Sequence, residues 1–305
     1  MTDNQEKFMN PYTDFGFKKL FGTEPNKDIL ISFLNALFQG RRNTIVDLQY
    51  LNTEALGPYY GDRNSVFDIY CSTDDGGHFI VEMQRSDQPY FKDRTVYYAS
   101  AAVVRQGKKG KDWNYRLDDV CVVGILNFVF PNNEYEDDSY FHEVKLKDTT
   151  DNHTVYKKLT FYYIEMPKFN KTEDELVTML DRWLFVVKNI CYLLEQPKEL
   201  QEQVFTKFFE EARIAMFTPE EQLAYEVSQK HYWDNRNTIA YSFEKGKESG
   251  IAEGKELGIA EGRAETNLEN AQKMRDAGID RKIILEITGV DVDGNSECGI
   301  RNKPI

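Results

Sequence analysis

Residues 65–84, SVFDIYCSTDDGGHFIVEMQ, constrain the fold more than any other stretch of the chain. Two β-rich runs flank Asp74-Asp75-Gly76-Gly77, whose glycines supply the positive φ angles that a hairpin needs. Strand side chains alternate between faces, so Val66, Asp68 and Tyr70 are predicted on one face of the first strand. His78, Ile80, Glu82 and Gln84 fall on one face of the second. Directly opposed residues of an antiparallel pair share a face. For Asp68 to stand opposite Glu82, paired residue numbers must sum to 150, which centres the turn on Asp75 and demands an odd-numbered loop or a bulge. A two-residue loop would pair Asp68 with Met83 and send the carboxylates to opposite faces.

Two carboxylates side by side at strand centres repel each other and are costly to desolvate. A divalent cation removes that cost, and Mg²⁺ favours one or two carboxylates together with waters and phosphate oxygens. Such an ion lowers the pKa of a bound water and stabilises charge on a scissile phosphate. Gln84 projects from the same face as Glu82, where it is placed to orient an attacking water. It does not supply the positive charge that a lysine there would bring.

The flanking segments read as an α/β core. TDFGFKKLFG gives a short helix with Thr13 as N-cap, and a second helix spans 27–38 with Gly40 just past its end. Strands are predicted at 44–51, 65–72, 78–84 and 120–130, with further ones near 141–147 and 158–165. A helix fills about 90–106. This order makes a mixed sheet with helices packed on it. From Thr172 the period changes to 3.6, with Thr172 and Glu175 as a capping box for a helix whose apolar stripe runs from Leu176 to Leu194. A helix over 198–215 follows, and another starts at Thr218 with Pro219 in its first turn and Glu221 closing a second box.

The C-terminal part differs in character. Glycine recurs at every fourth position from Gly246 to Gly262, and each costs about 1 kcal/mol against alanine in a helix. The repeat is either a charged tether or a stripe along which two helix backbones approach in a dimer. The tail, 268–290, reads as helix, glycine turn at Gly278 and helix in helix-turn-helix style, either a small packing hairpin or a DNA reader. Its second helix has no Asn/Gln/Arg cluster for base edges, which favours the hairpin. The expected divisions are therefore 1–168, 169–245, 246–265 and 266–305.

Charge is segregated. The net charge of −13 opposes nucleic-acid binding, yet residues 85–116 hold eight basic residues against three acids. That is either a solvated helix face followed by a basic loop, or a phosphate-binding segment. Arg94, Tyr98 and Arg105 fall on one face of the 90–106 helix, and Lys108, Lys109 and Lys111 follow it. Tyr98 is either core with the arginines snorkelling away from it, or part of a phosphate-contacting face. Asp14 and Lys18 make an i,i+4 pair. Four scattered cysteines, no CxxC and no HExxH argue against zinc and fit a reduced, cytoplasmic setting. The longest apolar run, CVVGILNFVF, is too short for a membrane-spanning helix.

TDFGFKKLFG, FLNALF, FDIYC, IVEMQ, the Arg94–Tyr98 helix and the AGIDRKIILEITGV tail together resemble the Rpn family of recombination-promoting nucleases and transposases, within the PD-(D/E)XK nuclease superfamily. The resemblance implies a Mg²⁺-dependent endonuclease fold acting on DNA. Asp68 and Glu82 match the metal-binding acids, and Gln84 stands where the superfamily has lysine. Asp14 and Glu54 become supporting acids around the metal pair, each with a plain surface or loop role as its alternative. The expected function is phosphodiester hydrolysis of DNA in transposition or recombination, with self-association through the C-terminal region. A catalytically weak nuclease fold used for DNA binding or protein interaction is the alternative, and RNA a further possible substrate.

Overall fold

Thr13 starts the first element. In the computed structural model, which describes residues 6–55, 65–108, 113–130 and 138–292, its hydroxyl accepts the Gly16 N–H at 3.0 Å and caps helix α1 (Asp14–Phe21). Helix α2 (Lys27–Phe38) follows after one turn of 3₁₀ helix. Strand β1 is confined to Leu48–Tyr50, shorter than the predicted 44–51. The reason is a contact with another element: the Asn35 side chain in α2 takes both the N–H and the carbonyl of Ile45, at 2.8 and 2.9 Å, so that backbone is not free to pair in a sheet.

Strands β2 (Glu54–Ala55) and β3 (Ser65–Val66) form a separate two-stranded ribbon. Strand β4 (Ile69–Thr73) and strand β5 (His78–Gln84) make the hairpin, and helix α3 (Phe91–Arg105) leads from it to β6 (Val120–Leu126). Strands β7 (Phe141–Lys147) and β8 (Thr154–Glu165) complete a six-stranded sheet of order β1-β4-β5-β6-β8-β7. The β5–β6 and β6–β8 pairs are parallel and the others antiparallel. Every residue of β6 is buried, which is why its sequence is a continuous apolar run rather than an alternating one.

One face of the sheet packs on α1, α2, α4 (Met179–Asn189) and α5 (Gln203–Glu211). Trp183 is fully buried there, with Phe205 at 4.7 Å and Phe208 at 5.4 Å between ring centres. The other face, carrying Tyr70, Ile80, Val122 and Tyr163, packs on α3 through Phe91, Ala99 and Ala102.

The helix predicted from Thr172 is broken in two. The Thr172–Glu175 box caps only a 3₁₀ turn, and Thr178 with Asp181 then forms a second box that starts α4. Likewise the 198–215 helix is α5 flanked by 3₁₀ turns. The box at Thr218 and Glu221 caps α6 (Pro219–Asp276).

The described chain divides into two units, Met1–Asp234 and Asn235–Ile305. In the second, the glycine repeat is helical as part of α6, and its glycines have open space where a Cβ would stand. Gly278, at φ +78°, lets the chain reverse into α7 (Arg281–Thr288), whose Ile284 is buried in the hairpin. Among the described residues no helix is long and apolar enough to cross a membrane.

Candidate functional site

The hairpin fixes the register. Ile69 pairs with Val81 and Tyr70 with Ile80, and the last pair is Ser72 with His78. The Thr73 N–H reaches the Gly77 carbonyl at 2.9 Å, and Gly76 adopts φ +87°, a conformation that only glycine takes without strain. The loop is thus odd-numbered, and continuing the register puts Asp68 opposite Glu82.

Strict alternation fails at one point. The strand breaks at Phe67 and Asp68, and Phe67, not Asp68, packs with Tyr70 on the α3 face, at 5.3 Å between ring centres. The break has a visible cause. The Asp68 N–H donates to Glu82 Oε1 at 3.2 Å, and the Met83 N–H donates to Asp68 Oδ2 at 2.9 Å. Side chains have replaced the ladder bonds at this rung, and each acid is held by backbone around the other. Among the described residues Asp68 Oδ1 and Glu82 Oε2 accept no hydrogen bond.

Both acids are electrostatically uncomfortable. Burial, then the neighbouring Asp68, pushes the Glu82 carboxyl well above the usual carboxylate range. Asp68 is also raised, by burial and by Asp14, against the Met83 N–H and the charges of Lys18 and Arg85. Glu82 is paired in register with Gly124 of β6, where a Cβ would lie 3.2 Å from the Tyr163 ring and 3.5 Å from Phe91. The glycine therefore lets β6 and α3 close around the acid.

Gln84 is buried beside the pair, two residues along β5. Its Nε2 donates to the Ser86 carbonyl at 2.8 Å, and its Oε1 accepts from Arg94 Nη2. Arg94 also donates to Gln88 Oε1 at 2.8 Å. Tyr98 packs on Phe67, and its hydroxyl pKa is raised by burial and by Glu82. Arg105 lies 5.6 Å from the Tyr70 ring and donates to the Asn52 carbonyl at 3.2 Å. The three α3 residues do share a face, and all three pack toward the hairpin. Tyr90, just before α3, takes φ +65°, an unusual conformation for a side-chain-bearing residue, and its carbonyl accepts the Arg94 N–H.

Asp14 is exposed, 2.7 Å from Arg85 and 3.7 Å from Lys18. With Asp68 and Lys18 it lines a cavity of about 930 Å³ that also reaches Thr53, Ser228 and His231. Glu54 stands in β2 opposite Val66, and its side chain lies outside the described set. Lys108 is exposed, whereas Lys109 and Lys111 lie outside the described residues.

Sequence spacing singled out neither Arg85 nor Gln88, because the partner of Arg85, Asp14, is far along the chain and Gln88 lies in the irregular segment before α3. Nor did it flag fully buried Glu165 on the same sheet. Burial would raise that carboxyl, yet Lys168 at 2.7 Å, the Phe130 N–H at 2.6 Å and His142 at 3.1 Å together hold it below its ordinary range. Among the described residues no three or more His, Cys, Asp or Glu side chains gather as a metal cluster, so Asp68 and Glu82 stand as a pair.

A mixed sheet with helices on both faces, a helix before the hairpin, a buried acid on β5 and a half-buried one at the bend before β4 describe a nuclease-type α/β domain. The chain belongs to the PD-(D/E)XK nuclease family transposases, whose family model matches residues 11–242. Its function is accordingly nuclease- or transposase-related. Comparison with curated proteins and with solved structures found no match.

Proposed function

We propose that the protein is a divalent-metal-dependent DNA endonuclease acting in transposition or recombination. The observation that carries this reading is the reciprocal hold on two carboxylates, Glu82 buried and Asp68 half-buried, each fixed through one oxygen by backbone and with its second oxygen unclaimed among the described residues. The donor set is all oxygen and doubly acidic, which fits Mg²⁺ or a similar hard cation. Asp68 and Glu82 would hold the ion. When bound, it acts as a Lewis acid toward the phosphate and makes a bound water easier to deprotonate.

The chain's own residues do the rest. Buried Gln84 borders the reaction zone and Asp14 and Lys18 line the rim near Asp68. In hydrolysis a water oxygen bonds to phosphorus and gives up a proton to solvent, the bond from phosphorus to the sugar oxygen breaks, and the leaving alkoxide takes a proton from solvent. Arg94, Arg105, Lys108, Lys109 and Lys111 supply the phosphate contacts that an otherwise acidic chain needs. Self-association is assigned to the second unit, where Ile251, Leu257 and Leu268 are exposed on the α6 helix.

Plasmid cleavage in Mg²⁺ tests the reading. Wild type should nick or linearise DNA, and Asp68→Ala should not. Equal cleavage by purified Asp68→Ala removes Asp68 from the site. Wild type that is inert across several metals and substrates favours the second reading, a nuclease fold kept for binding. That reading draws on the glutamine at 84, whose amide is already engaged by Arg94 and Ser86.

A further inference from the structure

We infer that the Arg94 guanidinium supplies, at the scissile phosphate, the positive charge that position 84 lacks, and that Gln84 is the positioning residue that holds it there. The inference rests on the hydrolase reading above and assigns the cation within it.

Three observations lead to Arg94. First, Gln84 is oriented. Its Nε2 is spent on the Ser86 carbonyl at 2.8 Å, which turns Oε1 toward α3, and Oε1 accepts from Arg94 Nη2. A cation brought in from a helix therefore stands at the tip of the residue that would otherwise carry one. Second, the charge is not consumed. Both hydrogen-bond partners of the guanidinium, Gln84 and Gln88, are neutral amides, and among the described residues Arg94 makes no ion pair. Its Nε is buried and has no partner among them, and the Glu82 carboxyl feels the Arg94 charge. Third, the neighbouring cations are committed. Arg85 lies 2.7 Å and Lys18 3.7 Å from the same carboxylate, Asp14. Packing over Phe91, 5.2 Å from the ring centre, keeps the guanidinium plane in place. A planar guanidinium whose positive charge is not neutralised by a carboxylate matches the geometry of phosphate oxygens.

Moving the charge back tests this directly. Removing a preorganised charge-stabilising donor costs on the order of 10²-fold in rate, so Arg94→Met should lose about that much cleavage. Gln84→Lys alone should also impair the enzyme, because two cations then crowd one place. In the double variant Gln84→Lys with Arg94→Met, cleavage should recover at least about tenfold over Arg94→Met. A merely structural arginine would give no such recovery. The second readout needs no cleavage: in EDTA, Arg94→Met should bind a fluorescent duplex more weakly, with a shallower salt dependence, and the double variant should restore both. Thermal melting establishes that each variant is folded, and Arg94→Lys serves as a milder substitute if Arg94→Met is not.

Cleavage and binding by folded Arg94→Met at wild-type levels overturn the inference and leave the hydrolase reading standing. So does a double variant no better than Arg94→Met. If Lys18→Met reproduces the loss and Arg94→Met does not, the cation is Lys18 and the assignment is wrong. Wild type that is inert, like Asp68→Ala, overturns the hydrolase reading and the inference with it.

Discussion

Glu82→Gln separates the electrostatic role of the acid pair from its structural one. The amide keeps an oxygen to accept the Asp68 N–H, so the rung between β4 and β5 survives, while the buried charge disappears. Replacing a buried ion pair by neutral residues of similar volume is often neutral or stabilising by up to about 4 kcal/mol, and here the charge removed is also repelled by Asp68, so the direction is toward greater stability. For a chain of this size each kcal/mol moves Tm by roughly 2–4 °C. The sign with pH follows from the direction of the shift. A carboxyl raised in the folded state costs stability only once it ionises, so wild type is best off at acid pH and loses stability as pH rises through the raised range. The expected result in EDTA is therefore a variant that melts above wild type at pH 8, with the gap closing toward pH 4.5. Adding Mg²⁺ should raise the wild type alone and so narrow or reverse the gap, since saturation at a hundredfold over Kd adds about 2.7 kcal/mol to a protein that binds it and nothing to one that does not. Differential scanning fluorimetry at two pH values, with and without Mg²⁺, reads all of this. A variant less stable than wild type at pH 8 in EDTA would refute the reasoning, as would an equal Mg²⁺ response in both proteins.

Other outcomes follow from the same structure. Gly124→Val should overpack the space between β6, Tyr163 and Phe91, costing about 1–3 kcal/mol and cleavage along with it, measured by urea unfolding and by the plasmid assay. Trp183→Ala should cost about 3–5 kcal/mol by the same unfolding measurement, because four phenylalanine rings pack against the indole. Neutralising Lys108, Lys109 and Lys111 should weaken DNA binding and flatten its salt dependence, since fewer counterions are released, as read by anisotropy titrations. Alanine at Gly250, Gly254 and Gly258 meets open space in the chain itself and should raise helicity by about 1 kcal/mol per site. If sedimentation then shows weaker self-association, the glycines serve close approach of two helices; unchanged association removes them from the contact.

Much of this protein is legible in its sequence wherever the information is local. Thr13, the capping boxes and Gly278 set element ends because the hydrogen bonds and φ angles involved lie within a few residues. The Asp-Asp-Gly-Gly turn marks the hairpin, and its loop parity sets which residues of β4 and β5 stand opposite each other. The numbering leaves the Asp68–Glu82 juxtaposition conditional on that parity, and the register of the folded hairpin decides it. The tertiary structure decides what depends on distant partners. Asn35 shortens β1 by taking the Ile45 backbone, and the bend at Asp68 exists because Glu82 and Met83 offer bonds that replace the ladder. Position 84 is the sharpest case. Its identity as glutamine is plain in the sequence, but the guanidinium at its tip arrives from ten residues away on α3, through a crossover that only the folded sheet defines. Periodicity reports the face a side chain occupies, because that is set by local backbone geometry. Which charge meets it there is set by the packing of one element on another, and no local spacing encodes it.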